Sequence, residues 1–404
     1  MRILIFTNRV PFPANGGYAI VVNNTIQSLL DLGCDITVFS LNTTKHYVRF
    51  EDIDDPIIQK IKFVQYKIDN RVKAKDAFFN LFSRKSYNIS RFYSPGCADR
   101  LSHLLKKEKF DIIQFEGLQV TPYLAVVKAN STAKLLYRAH NIEHQIWKRL
   151  TIKENFLLRK FYLHLLSKRL QSFEYNILGD FDAILAISFV DEHFFNSLGY
   201  RGNAHTFPVA LNLENYKNDF ILSPNKSIGY IGSMDWRPNI EGLDWFLERV
   251  WPNIMQLGSG ITFHLAGKNI PESYEDLADE HFIIEGQVDN AKEFIARQHV
   301  MIVPLLSGSG MRVKIIEAMA LGKCIIATSI AAEGINYHHD RDILIADSSD
   351  HFYKQILRCF TDKNLINRIG AGARKLVEKG HNQKILGEKL VKVYEDLLEE
   401  GKKK

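Results

Sequence analysis

The sequence predicts an α/β protein of two doubly wound halves, on three observations. Short apolar runs of strand type alternate with helical-period segments along the chain, the order that gives parallel sheets. Glycine-bearing loops follow several of those runs directly, where ligands bind in open sheets of this kind. A polar, turn-rich stretch at 212–225 separates the two halves. With 404 residues, each half is long enough to bury its own core.

In the first half, residues 3–6 are a buried-type strand, 7–17 a loop with Pro11, Pro13, Gly16 and Gly17, and Ile20, Val21, Ile26, Leu29 and Leu30 one face of a helix ending at Leu32-Gly33. A strand at 35–41 completes a βαβ unit, hence a parallel sheet. Residues 61–66 are a further strand. The stretch 73–93 mixes aromatics with Arg71, Lys73, Lys75, Arg84, Lys85 and Arg91. Such a stretch can lie on an anionic membrane. A helix pair with one face packed and the other solvated is the preferred reading, and peripheral membrane contact stays open. Strands follow at 111–115, 134–137, 182–187 and 205–209, with a long basic helix at 155–176. The second half has strands at 227–231, 261–266, 282–284, 299–303, 324–328 and 342–346. Two helices finish the chain.

Composition excludes several classes. Hydrophobic residues at 46% and charged at 24% are ordinary for a globular chain. No apolar run reaches eighteen residues, so no transmembrane helix is expected, and the first apolar run is too short for a signal peptide. Four cysteines far apart suggest a reducing compartment, with cytoplasm the default. The net charge of +6 permits an anionic substrate or an acidic membrane surface without requiring either. No clustered arginine–aromatic pattern marks a nucleic-acid module.

The stretch 304–323 is the most informative. It reads as a strand end, then a loop with Gly308, Ser309, Gly310 and Met311, then a helix opening with Arg312 and Lys314 and carrying Glu317. Such a loop leaves N–H groups at the positive end of a helix dipole, a seat for phosphate. Two cations there are wasteful unless an anion arrives. Glu317 is an acceptor suited to sugar hydroxyls. In the first half, Gly16-Gly17 before a helix could receive an anion or merely turn the chain. His140 follows a strand directly, beside Arg138 and Asn141, and could exchange a proton or hydrogen bond with substrate. Glu116 could face the same place or cap a helix. His140 and His144 also fit H-x-x-E-H, a zinc peptidase spacing, which lacks a third ligand and leaves the second half unexplained.

These segments together resemble the retaining glycosyltransferases of family 4, over nearly the whole chain. The resemblance implies the GT-B fold: two Rossmann-like doubly wound domains facing a central cleft. Residues 3–6 with Pro11-Phe12-Pro13-Ala14-Asn15-Gly16-Gly17 are similar to the family's first strand and glycine loop, near the donor diphosphate and acceptor. Arg138-Ala139-His140-Asn141 resembles the segment whose histidine contacts the donor sugar. Gly232-Ser233-Met234-Asp235 resembles the loop opening the nucleotide domain. Glu285-Gly286-Gln287-Val288 resembles the segment whose backbone reads the base, and Glu317-Ala318-Met319-Ala320-Leu321-Gly322-Lys323 the motif whose glutamate holds the ribose.

Two departures stand out. The family's common motif has a second glutamate eight positions earlier, and here that place is Ser309. An Arg and a Lys that often grip the diphosphate correspond to Ser233 and Asn239, so Arg312 and Lys314 are expected to take over that electrostatic work. Asp52-Ile53-Asp54 matches a D-x-D metal pattern of another transferase class, but no strand frames it and it is set aside. The resemblance implies a nucleotide-diphosphate sugar as donor, a glycan or lipid-linked acceptor in surface polysaccharide or glycoconjugate assembly, and neither metal nor cofactor. The expected division is an acceptor-binding domain at 1–210 rejoined by the last helix at 385–404, a linker at 211–226 and a donor-binding domain at 227–384. Glu116, Arg138 and Asn141 are acceptor-side candidates. A sugar-nucleotide epimerase and a non-catalytic nucleotide- or glycan-binding protein are the alternatives.

Overall fold

The computed structural model describes the chain except residues 15, 84, 201, 218–221, 224, 259, 309 and 403–404. It divides into two compact units, Met1–Ala210 with Gln383–Lys404, and Leu211–Asn382. Each is a parallel sheet between helices.

The first unit runs β1 (Arg2–Thr7), α1 (Gly17–Asp31), β2 (Asp35–Thr43), β3 (Lys62–Ile68), α2 (Ala74–Asn80), β4 (Ile112–Glu116), β5 (Lys134–Ala139), α3 (Glu143–Lys153), α4 (Leu157–Leu178), β6 (Ala183–Ala186) and β7 (Asn203–Thr206). The sheet order is β3-β2-β1-β4-β5-β6-β7, every pair parallel. Strands buried on both faces read as continuous apolar runs, because successive side chains go to opposite cores. Leu4 and Phe6 join one core with Phe39, Leu41 and Phe115. Ile3 and Ile5 join the other with Ile36, Val38 and Ile112. The C-terminal helix, Gln383–Lys402, lays Leu386, Leu390, Tyr394 and Leu397 into that second core at helical spacing. Fully burying one such side chain contributes about 1.5–3 kcal/mol, which fixes the helix to this unit.

The second unit runs β8 (Ser227–Ile231), α5 (Arg237–Arg249), β9 (Thr262–Ala266), β10 (Phe282–Gly286), β11 (Val300–Val303), α6 (Val313–Ala320), β12 (Cys324–Ala327) and β13 (Leu344–Ile345). Its order is β10-β9-β8-β11-β12-β13, again parallel. In each sheet the order reverses beside the first strand: at β1 and β4, and at β8 and β11. Ligands of doubly wound folds bind at the carboxyl ends of such strands.

Some expectations shift. β7 ends at Thr206 instead of 209, because Pro208 has no N–H to give a ladder. Residues 211–217, expected in a linker, belong to the second unit, where Tyr216 is buried. The basic aromatic stretch does form α2 and a single turn at Tyr87–Ser90, but Phe78, Phe79 and Phe82 are exposed while Tyr87, Ile89 and Phe92 are buried. All four cysteines are free and buried; Cys324 and Cys359 share a hydrogen bond at 3.8 Å between their sulfurs and form no disulfide.

The helix after β8 owes its seat to a glycine. A Cβ at Gly242 would lie 2.4 Å from the Pro304 carbonyl oxygen, at the end of β11 where the glycine loop begins. Gly242→Ala is therefore expected to push α5 off that strand and destabilise the protein by about 1–3 kcal/mol, read by urea unfolding.

Candidate active site

At the carboxyl ends of β1, β4 and β5 the first unit gathers its buried polar groups. Glu116 ends β4 and is fully enclosed. Its Oε2 lies 2.7 Å from His140 Nε2 and 3.8 Å from Arg138 Nε. Its Oε1 accepts from Gln114 Nε2 at 2.5 Å, and Gln114 Oε1 accepts from the Tyr394 hydroxyl at 2.5 Å. Burial alone would raise the Glu116 pKa, but the His140 hydrogen bond and the Arg138 charge outweigh it and hold the carboxyl below its usual range. Burial pushes His140 down, against the pull of Glu116. Near neutral pH the pair is a carboxylate with a neutral imidazole donating from Nε2. His140 Nδ1 is then an acceptor, and among the described residues no hydrogen bond occupies it.

The His140 ring packs on Tyr18, with centroids 4.8 Å apart. The Tyr18 hydroxyl donates to the Glu116 carbonyl at 3.3 Å and accepts the Asn8 N–H at 3.2 Å, and Arg9 lies over its ring at 4.6 Å. Gly16, with φ of 104°, is the N-cap of α1, and Gly17 is its first residue. No side chain caps that end and no acid occupies its first turn, so its N–H groups and dipole stand ready for an anion.

Arg138 takes another place than expected. Arg138 is only 1% exposed; it donates to the Phe207 carbonyl at 3.3 Å and lies 4.6 Å from that ring. It is the counter-ion of Glu116, and contact with an acceptor is closed to it. Asn141 hydrogen-bonds Glu143, whose pKa rises to about 7 through burial and the nearby Glu174 charge. The zinc spacing also dissolves. His140 follows β5, whereas His144 lies in α3 and holds Glu174 through Nδ1 at 2.6 Å, so the two imidazoles do not share a helix face.

The second unit concentrates its candidates at the carboxyl ends of β8, β10 and β11. Backbone bonds lace three strand ends together: Gly232 N–H to Ala266 at 3.0 Å, and Gly267 N–H to Gly286 at 2.7 Å. Ser233 lies in the loop after β8, its hydroxyl on Asp235 at 3.3 Å. Gly286 (φ 69°) turns the chain into Gln287, which is exposed, and Val288. Gly308 (φ 121°) and Gly310 (φ 81°) adopt angles that favour glycine, and half-buried Met311 leads into Arg312; Ser309 lies outside the described residues.

Arg312 is the N-cap of α6, one residue earlier than the first turn expected for it. Its Nη1 donates to the Gly310 carbonyl at 2.7 Å, and the guanidinium lies 5.0 Å from the Trp236 ring. A Cβ on Gly308 would meet Arg312 Nη2 at 2.5 Å, so the loop closes directly onto this cation. Lys314 Nζ reaches back to β8, donating to the Ile231 carbonyl and to Asn239 Oδ1, both at 3.2 Å, over the Tyr230 ring. Among the described residues its partners are neutral. Burial, then repulsion by Arg312, lowers its pKa to about 7. The Lys314 ammonium thus sits beside Asn239, where the family resemblance led one to look for a cation.

Glu317, on α6, accepts the Tyr216 hydroxyl at 2.8 Å, and Lys292 lies 4.5 Å from the Tyr216 ring. Burial raises its pKa. Its Oε2 has no hydrogen-bond partner among the described residues, which leaves an acceptor for a hydroxyl pair. Tyr216, Trp236, Lys292, Tyr18, Gln114 and Tyr394 were missed from sequence. Tyr216 left a signal, an aromatic in an otherwise polar stretch; Tyr394 left none, being one apolar position of a helical stripe.

Comparison with known proteins matches residues 225–362 to the family model of glycosyl transferases group 1. A 44.6 kDa protein in the cps region of Klebsiella pneumoniae is 24% identical over 398 residues, spanning 95% of this chain and 97% of that protein. The sucrose-phosphate synthase of Thermosynechococcus elongatus is similar in structure, with a TM-score of 0.72 at 16% identity, covering 98% of this chain and 99% of that one. A mutant TarM of S. aureus, in complex with fondaparinux, α-GlcNAc-glycerol and UDP, gives a TM-score of 0.69 at 11% identity, over 98% and 100% of the two chains. The fold is that of the GT-B glycosyltransferases.

Proposed function

We propose that the chain is a retaining, metal-independent glycosyltransferase, a reading supported by the match of residues 225–362 to the group 1 glycosyl transferase model and by the GT-B fold. It uses a nucleotide-diphosphate sugar and transfers to a glycan or lipid-linked acceptor in surface polysaccharide assembly. The observation that carries the donor is Lys314: a buried ammonium on neutral acceptors beside Arg312, at the carboxyl edge of β8 and the start of a helix. A diphosphate relieves the repulsion of two such cations and meets the open N–H groups of α6. Glu317, steadied by Tyr216, takes the ribose hydroxyls, and 286–288 face the base. UDP in the TarM complex and the cps setting of the Klebsiella relative support the donor and acceptor classes.

In the reaction the bond from the sugar's anomeric carbon to the diphosphate breaks, and a bond from an acceptor oxygen to the same face forms. The acceptor proton passes to the departing phosphate oxygen. Arg312, Lys314 and the helix N–H groups stabilise the charge that develops there. His140, held by Glu116, is assigned to substrate hydroxyls through Nδ1, and the α1 end at Gly16-Gly17 to an anionic group of a substrate. The soluble compartment suited to such donors is the cytoplasm.

Slow hydrolysis of UDP-, GDP-, dTDP- and ADP-sugars by purified protein, with and without EDTA, tests this. One nucleoside diphosphate released at an EDTA-independent rate is expected. Loss of activity with EDTA would remove the metal-independent part, and interconversion of the sugar with the nucleotide still attached would favour an epimerase. Failure to bind any donor would sink the assignment.

A further inference from the structure

The first unit exposes large apolar side chains that its own cores leave uncovered. On α2 and just after it, Phe78 is 57%, Phe79 70% and Phe82 80% exposed. At the start of α4, Phe156, Leu157, Leu158 and Phe161 are 63–79% exposed. Monomeric soluble proteins scatter such residues singly; seven in two helix ends call for a partner.

The two groups belong to one side of the unit. Arg169 on α4 donates to the carbonyls of Asn80 and Leu81 at 2.7 and 2.9 Å, tying the end of α2 to α4. Positions 162 and 158 fall within about 20° of Arg169 around the helix, at 3.6 residues per turn. The stripe that meets α2 therefore runs on to Leu158, beyond the tie. Phe82 and the α4 start lie within about 18 Å along that axis at 1.5 Å per residue.

Charge decides what covers them. Residues 69–93 hold six cations against two carboxylates, and residues 148–169 hold seven against one. That excess of ten lies in a chain whose net charge is only +6, so the remainder of the chain is acidic. Asp69 and Glu154 are already engaged by Arg71, Lys73 and Arg159. Beside Phe79 a surface hollow of about 470 Å³ is lined by Arg71, Lys73 and Arg91 together with Asp69 and Asp76, so its cations outnumber its carboxylates by one. Rings and leucines ringed by cations match an interface whose apolar layer lies under a negative one. Among the described residues no helix is long and apolar enough to cross a membrane, so the fit is to its surface.

We propose that the α2 and α4 ends dock the first unit on an anionic phospholipid surface. The inference does not depend on the glycosyltransferase reading. Co-sedimentation with vesicles of phosphatidylcholine alone, or mixed equally with phosphatidylglycerol, tests it on the full chain. The protein is expected to pellet with the mixed vesicles, to stay in solution with the neutral ones, and to be released by salt. Serine at Phe78, Phe79 and Phe82 together, and separately at Leu157, Leu158 and Phe161, should each weaken partitioning about tenfold or more. Because these side chains are exposed, both variants should keep the wild-type circular dichroism and melting temperature. Equal pelleting with both lipids, or undiminished binding by both variants, overturns the proposal. So does a wild-type dimer that ignores vesicles and becomes monomeric in the variants, which would make the occupant a second copy.

Discussion

Alanine at both Arg312 and Lys314 is expected to abolish release of nucleoside diphosphate, and each single change to slow it by about 10²–10³-fold. The leaving diphosphate gains negative charge as its bond to the sugar breaks. A cation in a dry site stabilises that charge far more than water-screened charge could. Lys314→Met separates this from folding, since it keeps the aliphatic stem on Tyr230 and removes an ammonium that burial already disfavours. Its melting temperature should hold or rise while turnover is lost. Near wild-type turnover in the double alanine variant would end the idea that these cations grip the donor. The two effects should not add, because both cations act on one group.

Lys314 also gives the site a pH signature. Its ammonium is held from the usual 10.5 to about 7 in the free protein. An arriving diphosphate favours the charged form, so above pH 7 binding must take up a proton, up to one per ligand. Affinity for the nucleoside diphosphate should then weaken as pH rises above about 7, and calorimetry in buffers of different ionisation heat should show the uptake. Lys314→Met should show neither. Stability moves the opposite way: between about pH 7 and 10 the unfolded chain holds the proton that the folded site lacks, so this lysine makes folding more favourable as pH rises.

How much of this was legible in the sequence depended on whether the signal was local. Strand β11, the glycine loop and α6 follow from one unbroken stretch, residues 300–320, and so do the cations and Glu317. The partners of those residues do not. Lys314 meets Asn239, which is 75 positions away, and Glu317 meets Tyr216 across 101. Only the sheet order brings such pairs together. Arg138 shows the same limit in another form: its chemistry suggested a ligand contact, and the packing of Phe207 above it made it a buried counter-ion instead. Phe78, Phe79 and Phe82 failed the packed-face expectation because α2 is only seven residues long and Arg169 holds it by its carbonyls, not by its rings.

Glu116→Ala is expected to be among the most damaging single changes in the first unit, costing about 3–5 kcal/mol in urea unfolding. It leaves Arg138 charged and enclosed, and it removes acceptors from His140 and Gln114. Adding Arg138→Met should recover most of that stability, because an apolar residue of similar length can fill the space without a charge. Activity should not return, since His140 still lacks the carboxylate that fixes its tautomer. His140→Asn, by contrast, should leave stability nearly unchanged and lower kcat by about 10²-fold or more. The acid limb tells the same story. Glu116 has a depressed folded pKa, so its contribution is present above about pH 4 and lost as pH falls through that lower value. Glu116→Gln with Arg138→Met should flatten that limb. If the doubly neutral protein were both stable and fully active, Glu116 and His140 would be packing alone, and the sugar-side chemistry would have to be sought elsewhere in the unit.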